Sequence, residues 1–431
     1  MIIFLRIYMR HVIDILQERG FIEAMTDEEI REITKKPVKL YCGFDPTSDS
    51  LHLGNMVAIM GLAWFQKCGH TPYIIVGGAT GMIGDPSGKS QERQLLDEQT
   101  IKTNLKGITK NFGQILDFEN TTCKPVILDN FDWFKNFSMI DFLRDVGKHF
   151  RLGPMLAKDS VRARLNSEEG MSYTEFTYQI LQSYDFLYLY DQHGVQLQIG
   201  GSDQWGNITA GMELVRKLRG ASVAGLTFPL LTTSEGKKFG KSEKGAIWLS
   251  PEKLSPYEFY QYLFRFSDAD VIPLMKMLTF LDISEIKEYE RMMTLPDYLP
   301  NTAQKRLAEE VTRIVHGEEA LNKAQKATEA AAPGSKTALN VDLLEQISGD
   351  MPSKNLSRSE VVEQKLVDLV VHVGLQGSKG DARRLIRNGG VYLNNIKVAD
   401  ENISIQESDL IEGRLLLLAL GKKNKILIRI T

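Results

Sequence analysis

The spacing of apolar positions changes character three times along the chain. Between Val38 and about Leu230, short apolar runs (Val38 to Cys42, Tyr73 to Val76, Val126 to Leu128, Val195 to Ile199) alternate with longer stretches of helical spacing such as Met56 to Cys68 and Tyr173 to Tyr190. Short runs bounded by turn residues and interleaved with helices predict an α/β fold on a parallel sheet. From Ser255 to about Ala331 the pattern reads as helix after helix with no strand candidate. Pro333, Gly334, Gly349 and Pro352 then sit among serines and lysines between Ala330 and Ser359, which reads as a linker. Beyond it come one or two helices and short strands at Val391 to Leu393, Leu415 to Leu420 and Ile426 to Ile430.

Composition narrows the class. The chain has 431 residues, enough for two to four domains of roughly 150 residues each. With 43% hydrophobic and 25% charged residues it is neither disordered nor fibrous. Three cysteines, Cys42, Cys68 and Cys123, form no C-x-x-C pair and no ladder with the seven histidines, so neither a disulfide framework nor a dedicated metal site is expected, and a reducing compartment is. No window approaches roughly 18 uninterrupted apolar residues, which excludes a membrane helix. Met1 to Val12 is apolar and lacks acids, but it is short and has no small-residue cleavage site before Asp14, so it does not read as a signal peptide. Met9 marks an alternative start. Charge is uneven: residues 351 to 431 carry 13 Lys and Arg against 9 Asp and Glu, while residues 1 to 350 carry 39 against 46. A basic tail suits a polyanion partner, although a difference of this size alone is more often the mark of a solvated surface.

Five clusters carry candidate chemistry. In Tyr41 to Asn55 a strand end passes through a Pro-containing turn into a helix, a junction that offers unpaired N–H groups to an anion; Gly43 and Gly54 permit close approach and His52 adds a donor. Val76 to Ser90 is glycine-dense, yet Ile83 stands where a P-loop needs its first glycine. There Asp85 supplies an anion for an ammonium group, and Lys89 and Arg93, one turn apart, supply cations for phosphates. On the helix Ser172 to Tyr190, Tyr178, Gln182 and Asp185 share one face. Gln198 to Asn207 lies at a strand's carboxyl end, where Asp203 can accept from ribose hydroxyls. Lys238 and Lys241, three apart in a glycine-rich loop, suit a leaving pyrophosphate. Taken singly, each cluster is also an ordinary capped helix, glycine turn or solvated face.

Together, Pro46 to Asn55 resembles the "HIGH" signature and Lys238 to Ser242 the "KMSKS" signature of class I aminoacyl-tRNA synthetases, in the right order and separation. The text between them resembles bacterial-type tyrosyl-tRNA synthetases, and the likeness runs from about Asp14 to the end. It implies a Rossmann-like parallel-sheet catalytic domain over 14–232 after an extension of 1–13. A loop and α-helical anticodon-side domain over 233–330 follow, then a linker over 331–357 and a small α+β, S4-like RNA-binding domain over 358–431. The implied activity is tyrosine–tRNA ligation in the cytoplasm by a homodimer, with L-tyrosine, ATP and tRNA(Tyr) as substrates and Mg²⁺ arriving with ATP.

Position by position, the resemblance implies that Tyr41 and Asp185 hydrogen-bond the substrate phenol, that Asp85, Tyr178 and Gln182 hold its ammonium group, and that Gln198 supports the pocket. Gly43, Asp45, Thr47, Gly54, Gly200, Asp203 and Gln204 would hold ATP and the adenylate, and His52 would donate to the phosphates. Lys89, Arg93, Lys238, Lys241 and Ser242 would close over the β- and γ-phosphates, while Arg383, Arg384, Arg387, Lys422 and Lys423 would grip RNA. Two positions depart from the signatures. Asn55 replaces the final histidine and offers an uncharged donor, and Phe239-Gly240 replaces Met-Ser. Two other readings compete: an RNA-binding protein that keeps the fold without the reaction, and a related enzyme for another aromatic amino acid.

Overall fold

The computed structural model describes residues 10–87, 96–168, 170–234, 236, 239–242, 245–330, 332–335, 337–348, 351–421 and 424–431. They form two compact units, one holding residues up to Lys253 together with Ser267–Ala303, the other Leu254–Phe266 with Gln304–Thr431.

The first unit is built on a sheet whose described strands are β1 (Ala24–Met25), β2 (Lys39–Phe44), β3 (Thr71–Val76), β4 (Val126–Asp129), β5 (Leu197–Gly201) and β6 (Ala224–Phe228), in the order β1-β6-β5-β2-β3-β4. All described pairings in it are parallel except β1 with β6. The chain winds from β2 outward to β3 and β4, then returns to place β5 on the other side of β2. That reversal opens a crevice at the carboxyl ends of β2 and β5, the usual ligand edge of such a sheet. The parallel strands are apolar runs because helices cover both faces. Helix α1 is Val12–Glu18, and α2 (Leu53–Lys67) packs on β3 with residues buried around most of its circumference, from Leu53 and Met56 to Phe65. Helices α3 (Glu98–Ile115), α4 (Tyr173–His193) and α5 (Trp205–Arg219) complete the layers. After β6, two short antiparallel strands, β7 (Lys241–Ser242) and β8 (Gly245–Ala246), form a separate ribbon in the glycine-rich loop.

The helical run that follows comprises α6 (Pro256–Phe264), α7 (Asp268–Leu278), α8 (Ile283–Met292) and α9 (Thr302–Ala330). It does not form a separate body, since α7 and α8 belong to the first unit and α6 with most of α9 to the second. Arg19 supplies a physical reason. Buried just after α1, it donates to the carbonyls of Lys276 (2.9 Å), Thr279 (3.0 Å) and Leu281, and its guanidinium lies 4.2 Å from the centre of the Trp64 ring. A cation at a helix C-terminus meets both the orphan carbonyls and the negative end of the dipole. Burial lowers its pKa to about 10, opposed by Asp282 and Glu18, so it stays protonated at neutral pH.

In the second unit α9 turns at Gly317 (φ 81°, ψ 172°), a conformation closed to residues with a Cβ. The segment 331–357 departs from the expected linker. It carries α10 (Val341–Ser348), whose Val341, Leu344 and Ile347 are buried along one face, and β9 (Ser353–Leu356). Pro352 leads directly into this strand, its carbonyl accepting from the N–H of Leu427 (2.9 Å). Pro333, Gly334 and Pro352, which read as linker, therefore flank packed elements; Gly349 lies outside the described residues. The module ends in α11 (Leu366–His372), α12 (Lys379–Arg387) and a sheet that adds β10 (Val391–Leu393), β11 (Ile396–Val398), β12 (Leu415–Leu420) and β13 (Asn424–Ile430), in the order β11-β10-β12-β13-β9. Among its described pairings only β13 with β9 is parallel.

Arg19→Met keeps an apolar stem over Trp64 but leaves three carbonyls without their donor. It should lower the unfolding free energy by about 3 kcal/mol in urea denaturation, and Arg19→Lys should recover only part of that loss.

Candidate active site

A cavity of about 520 Å³ opens at the β2/β5 crevice. Its walls bring together Tyr41, Gly43, Asp45, Thr47, His52, Gly54, Asn55, Asp85, Tyr178, Gln182, Asp185, Gln198, Gly200, Asp203 and Gln204, residues that the sequence distributes over four clusters. Lys89, Arg93, Lys238, Lys422 and Lys423 lie outside the described residues, as do the side chains of Lys241 and Ser242. Arg383, Arg384 and Arg387 lie elsewhere, exposed on α12, with Arg384 paired to Asp381 (2.9 Å) and Arg387 to Glu401 (2.6 Å).

The most deeply buried end of the cavity is polar. Tyr41 and Gln198 are neighbours across β2 and β5, 1% and 2% exposed, and among the described residues neither the Tyr41 hydroxyl nor Gln198 Oε1 has a hydrogen-bond partner. Asp185, on α4 and 4% exposed, accepts from Trp133 Nε1 (2.9 Å) and Asn130 Nδ2 (3.1 Å). Burial pushes its pKa up to about 8 against the pull of those two donors, and Asp45 and Asp129 push it further. The Tyr41 hydroxyl is likewise held well above the usual phenol range, by burial and by the Asp185 charge. Asn130 and Trp133 carried no signal in the sequence: they follow β4 in no motif. Trp133 is fixed in turn by stacking on Tyr188 (centroids 4.4 Å apart, 18° between planes).

A second network lies beyond this end. Asp85 accepts from Gln204 Nε2 (2.7 Å) and from the Ser87 N–H (2.9 Å). Gln182 donates to Gln204 (3.3 Å) and accepts from Asn207 Nδ2 (3.1 Å). Asp45 joins two elements by accepting from the Tyr178 hydroxyl (3.0 Å) and from Thr80 Oγ1 (2.9 Å). Carboxylates of Asp85 and Asp45 beside neutral amides and hydroxyls form a cation-accepting rim. Cys42, not selected from the sequence, also lines the cavity; burial and the nearby Asp203 raise its pKa to about 12, so it is an inert thiol.

Another wall of the cavity is the N-terminus of α2. His52 is its N-cap: Nδ1 accepts from the Gly54 N–H (3.1 Å), while Asn55 Oδ1 accepts from the His52 N–H (3.1 Å), a reciprocal capping box. An Nδ1 that accepts places the ring proton on Nε2, which makes that edge a donor. Gly54 is required here because a Cβ would approach His52 Cε1 to 2.9 Å. Two buried amides on α3 brace the preceding loop, Asn104 donating to Pro46 O (2.8 Å) and Asn111 Oδ1 accepting from the Leu51 N–H (2.9 Å).

The glycine-rich loop is tied to the same helix end. The Leu53 N–H donates to Ile247 O (2.7 Å), the Leu249 N–H to Leu51 O (2.9 Å) and the Ile247 N–H to Gly240 O (2.9 Å). Gly240 has φ +80°, and a Cβ there would come within 2.6 Å of the Gly54 nitrogen. Its departure from the signature's serine therefore matches the backbone it adopts. Lys253 adds a side-chain strut, pairing with Asp49 and lying 4.6 Å from the Trp248 ring centre.

Comparison with known proteins gives concordant matches. A family model described as tRNA synthetases class I (W and Y) matches residues 34–332, and one described as the tyrosine–tRNA ligase SYY-like C-terminal domain matches 343–428. The chain is 66% identical to a tyrosine–tRNA ligase of Protochlamydia amoebophila, covering 98% of this chain and 99% of that protein. It is 54% identical to the chloroplastic/mitochondrial tyrosine–tRNA ligase of Arabidopsis thaliana, over 99% of this chain and 84% of that one. Among solved structures, a C-terminally truncated mitochondrial tyrosyl-tRNA synthetase of Aspergillus nidulans superposes with a TM-score of 0.64 at 31% identity, covering 73% of this chain and 92% of that one.

The elevated pKa of Asp185 has a signed consequence for stability. The folded protein keeps a proton that the unfolded chain releases near pH 4, so this contribution is full below about pH 4 and is lost as pH rises through about 8. Melting curves of Asp185→Asn against the unsubstituted protein should shift in the variant's favour between about pH 5 and about pH 9; a gap independent of pH would mean that Asp185 is ionised throughout.

Proposed function

The chain belongs to the class I tRNA synthetases, in their tyrosine–tRNA ligase family, and from that premise we propose how its own residues carry the reaction. The activity is tyrosine–tRNA ligation. The tyrosine carboxylate attacks the α-phosphorus of ATP, pyrophosphate leaves, and the tyrosyl group passes from the adenylate to the 3′-terminal ribose of tRNA(Tyr). No protein nucleophile is needed, so catalysis rests on position and on donors aimed at developing charge.

In this reading the Tyr41 hydroxyl and Asp185 bind the substrate phenol and Gln198 supports them. The observation that carries the assignment is their burial, because a phenol satisfies polar groups there that phenylalanine would leave unpaired. Asp85, Tyr178 and Gln182 take the ammonium group. Gly43, Asp45, Thr47, Gly54, Gly200, Asp203 and Gln204 hold ATP and the adenylate, with Asp203 on the ribose. His52 donates from Nε2 to the phosphates, and Asn55 both secures the cap through its oxygen and offers an amide N–H. Lys89, Arg93, Lys238, Lys241 and Ser242 serve the β- and γ-phosphates.

Mg²⁺ is assigned to the ATP phosphates, where it would neutralise charge; among the described residues no group of three or more His, Cys, Asp or Glu gathers to hold a metal. The exposed arginines of α12, with Lys422 and Lys423, are assigned to RNA. A homodimer follows from the family likeness, and the exposed apolar side chains of Met139, Ile140, Leu152 and Tyr173 are candidate contacts for it. Among the described residues no helix is long and apolar enough to cross a membrane, and the cytoplasm is the proposed compartment.

ATP–pyrophosphate exchange should respond to tyrosine and not to phenylalanine or tryptophan, and Asp185→Ala should abolish the response. Equal exchange with phenylalanine would overturn the phenol assignment. Lys238→Ala and Lys241→Ala should each slow adenylate formation about 10²-fold or more, with the KM for tyrosine little changed. Unchanged rates would remove the lysines from the phosphate role.

A further inference from the structure

We propose that the tip of the β10–β11 hairpin, together with α10, docks the basic C-terminal module onto the end of α9, so that helices and module meet tRNA as one preset body; this rests on the tRNA-ligating function above. Two consecutive left-handed residues, Asn394 (φ 48°) and Asn395 (φ 66°), form the two-residue turn between Leu393 and Ile396. Hairpin tips are ordinarily solvated, but Asn395 is 3% exposed. Its Nδ2 donates to the carbonyl of Ala330, the last residue of α9, and its own carbonyl accepts from the Gly334 N–H (2.9 Å). The turn thus supplies a helix C-terminus with the partner its carbonyls lack.

Asn394 faces the other way and stiffens the tip. Its Nδ2 donates to Asp409 O (2.6 Å), and its Oδ1 accepts from the Leu417 N–H (3.0 Å). A second bridge is independent of the first. Helix α10 packs on α6, while Glu345 pairs with Arg429 of β13 (2.7 Å) and Glu412 accepts from the Val341 N–H (3.3 Å). A module on a loose tether must be ordered each time RNA binds, which weakens binding without touching any RNA contact. Docking at two points removes that cost in advance. Asn395 is therefore a positioning residue for tRNA, remote from the adenylate chemistry.

Asn395→Gly is the clean test, since glycine accepts the left-handed turn and only the bridge to Ala330 is lost. The KM for tRNA in aminoacylation should rise about tenfold, with kcat and tyrosine-dependent exchange unchanged. Small-angle scattering of the full chain carrying both Asn395→Gly and Glu345→Arg, which removes both bridges, should show a larger radius of gyration than the unsubstituted protein. Glu345→Arg should give a smaller rise in the KM for tRNA that Arg429→Glu in the same chain reverses, a rescue that a folding defect at the turn would not produce. An unchanged KM for tRNA in Asn395→Gly overturns the proposal, as does an equal rise in the KM for tyrosine. If the unsubstituted chain showed no exchange, the functional reading would fail, and an unchanged radius of gyration would still refute the docking.

Discussion

Removing the Asp185 carboxylate from water is the cost around which the first unit is arranged. A carboxylate so deeply buried is strongly unfavourable; two side-chain donors, each with a fixed support, offset only part of that cost, and burial still holds the pKa up at about 8. Asn130 is held by its oxygen, which accepts from the Ala79 N–H (2.7 Å), and Trp133 by its stack on Tyr188. The glycine-rich turn after β3, the segment after β4 and the long helix α4 therefore meet at one carboxylate. The Tyr41 hydroxyl, buried with it and raised in pKa partly by its charge, completes the polar end of the cavity.

A comparable economy holds at the N-terminus of α2, where backbone hydrogen bonds join two stretches of chain. The segment following the glycine-rich loop runs antiparallel to the entry of α2, and the close approach of Gly240 to Gly54 leaves no room for a Cβ on Gly240. Ser250, whose N–H donates to Ser50 Oγ, lies 200 residues from its partner, so two stretches remote in sequence share one hydrogen-bonded seam. Whatever shifts one shifts the donor edge of the other.

Much of this was legible beforehand because parallel strands and helix entries leave local marks. The runs at Val38 to Cys42 and Tyr73 to Val76 are strands, and the residues chosen at strand ends line one cavity because a winding reversal brings those ends together. Asn130, Trp133, Asn104 and Asn111 escaped notice since their roles depend on partners distant in sequence. Arg19 did so for the same reason: nothing in a short amphipathic helix announces that the next arginine will bind a carbonyl 260 positions away. The segment 331–357 misled because Pro and Gly punctuate short packed elements as readily as they loosen a tether.

The cap on α2 ties the start of the helix to the orientation of one ring. His52 Nδ1 accepts from the Gly54 N–H, so the ring cannot turn without giving up that bond. Asn55 cannot take up the slack, because its oxygen already serves the His52 amide. One hydrogen bond thereby sets both the first turn of the helix and the edge that the imidazole presents, making ring orientation and helix end inseparable.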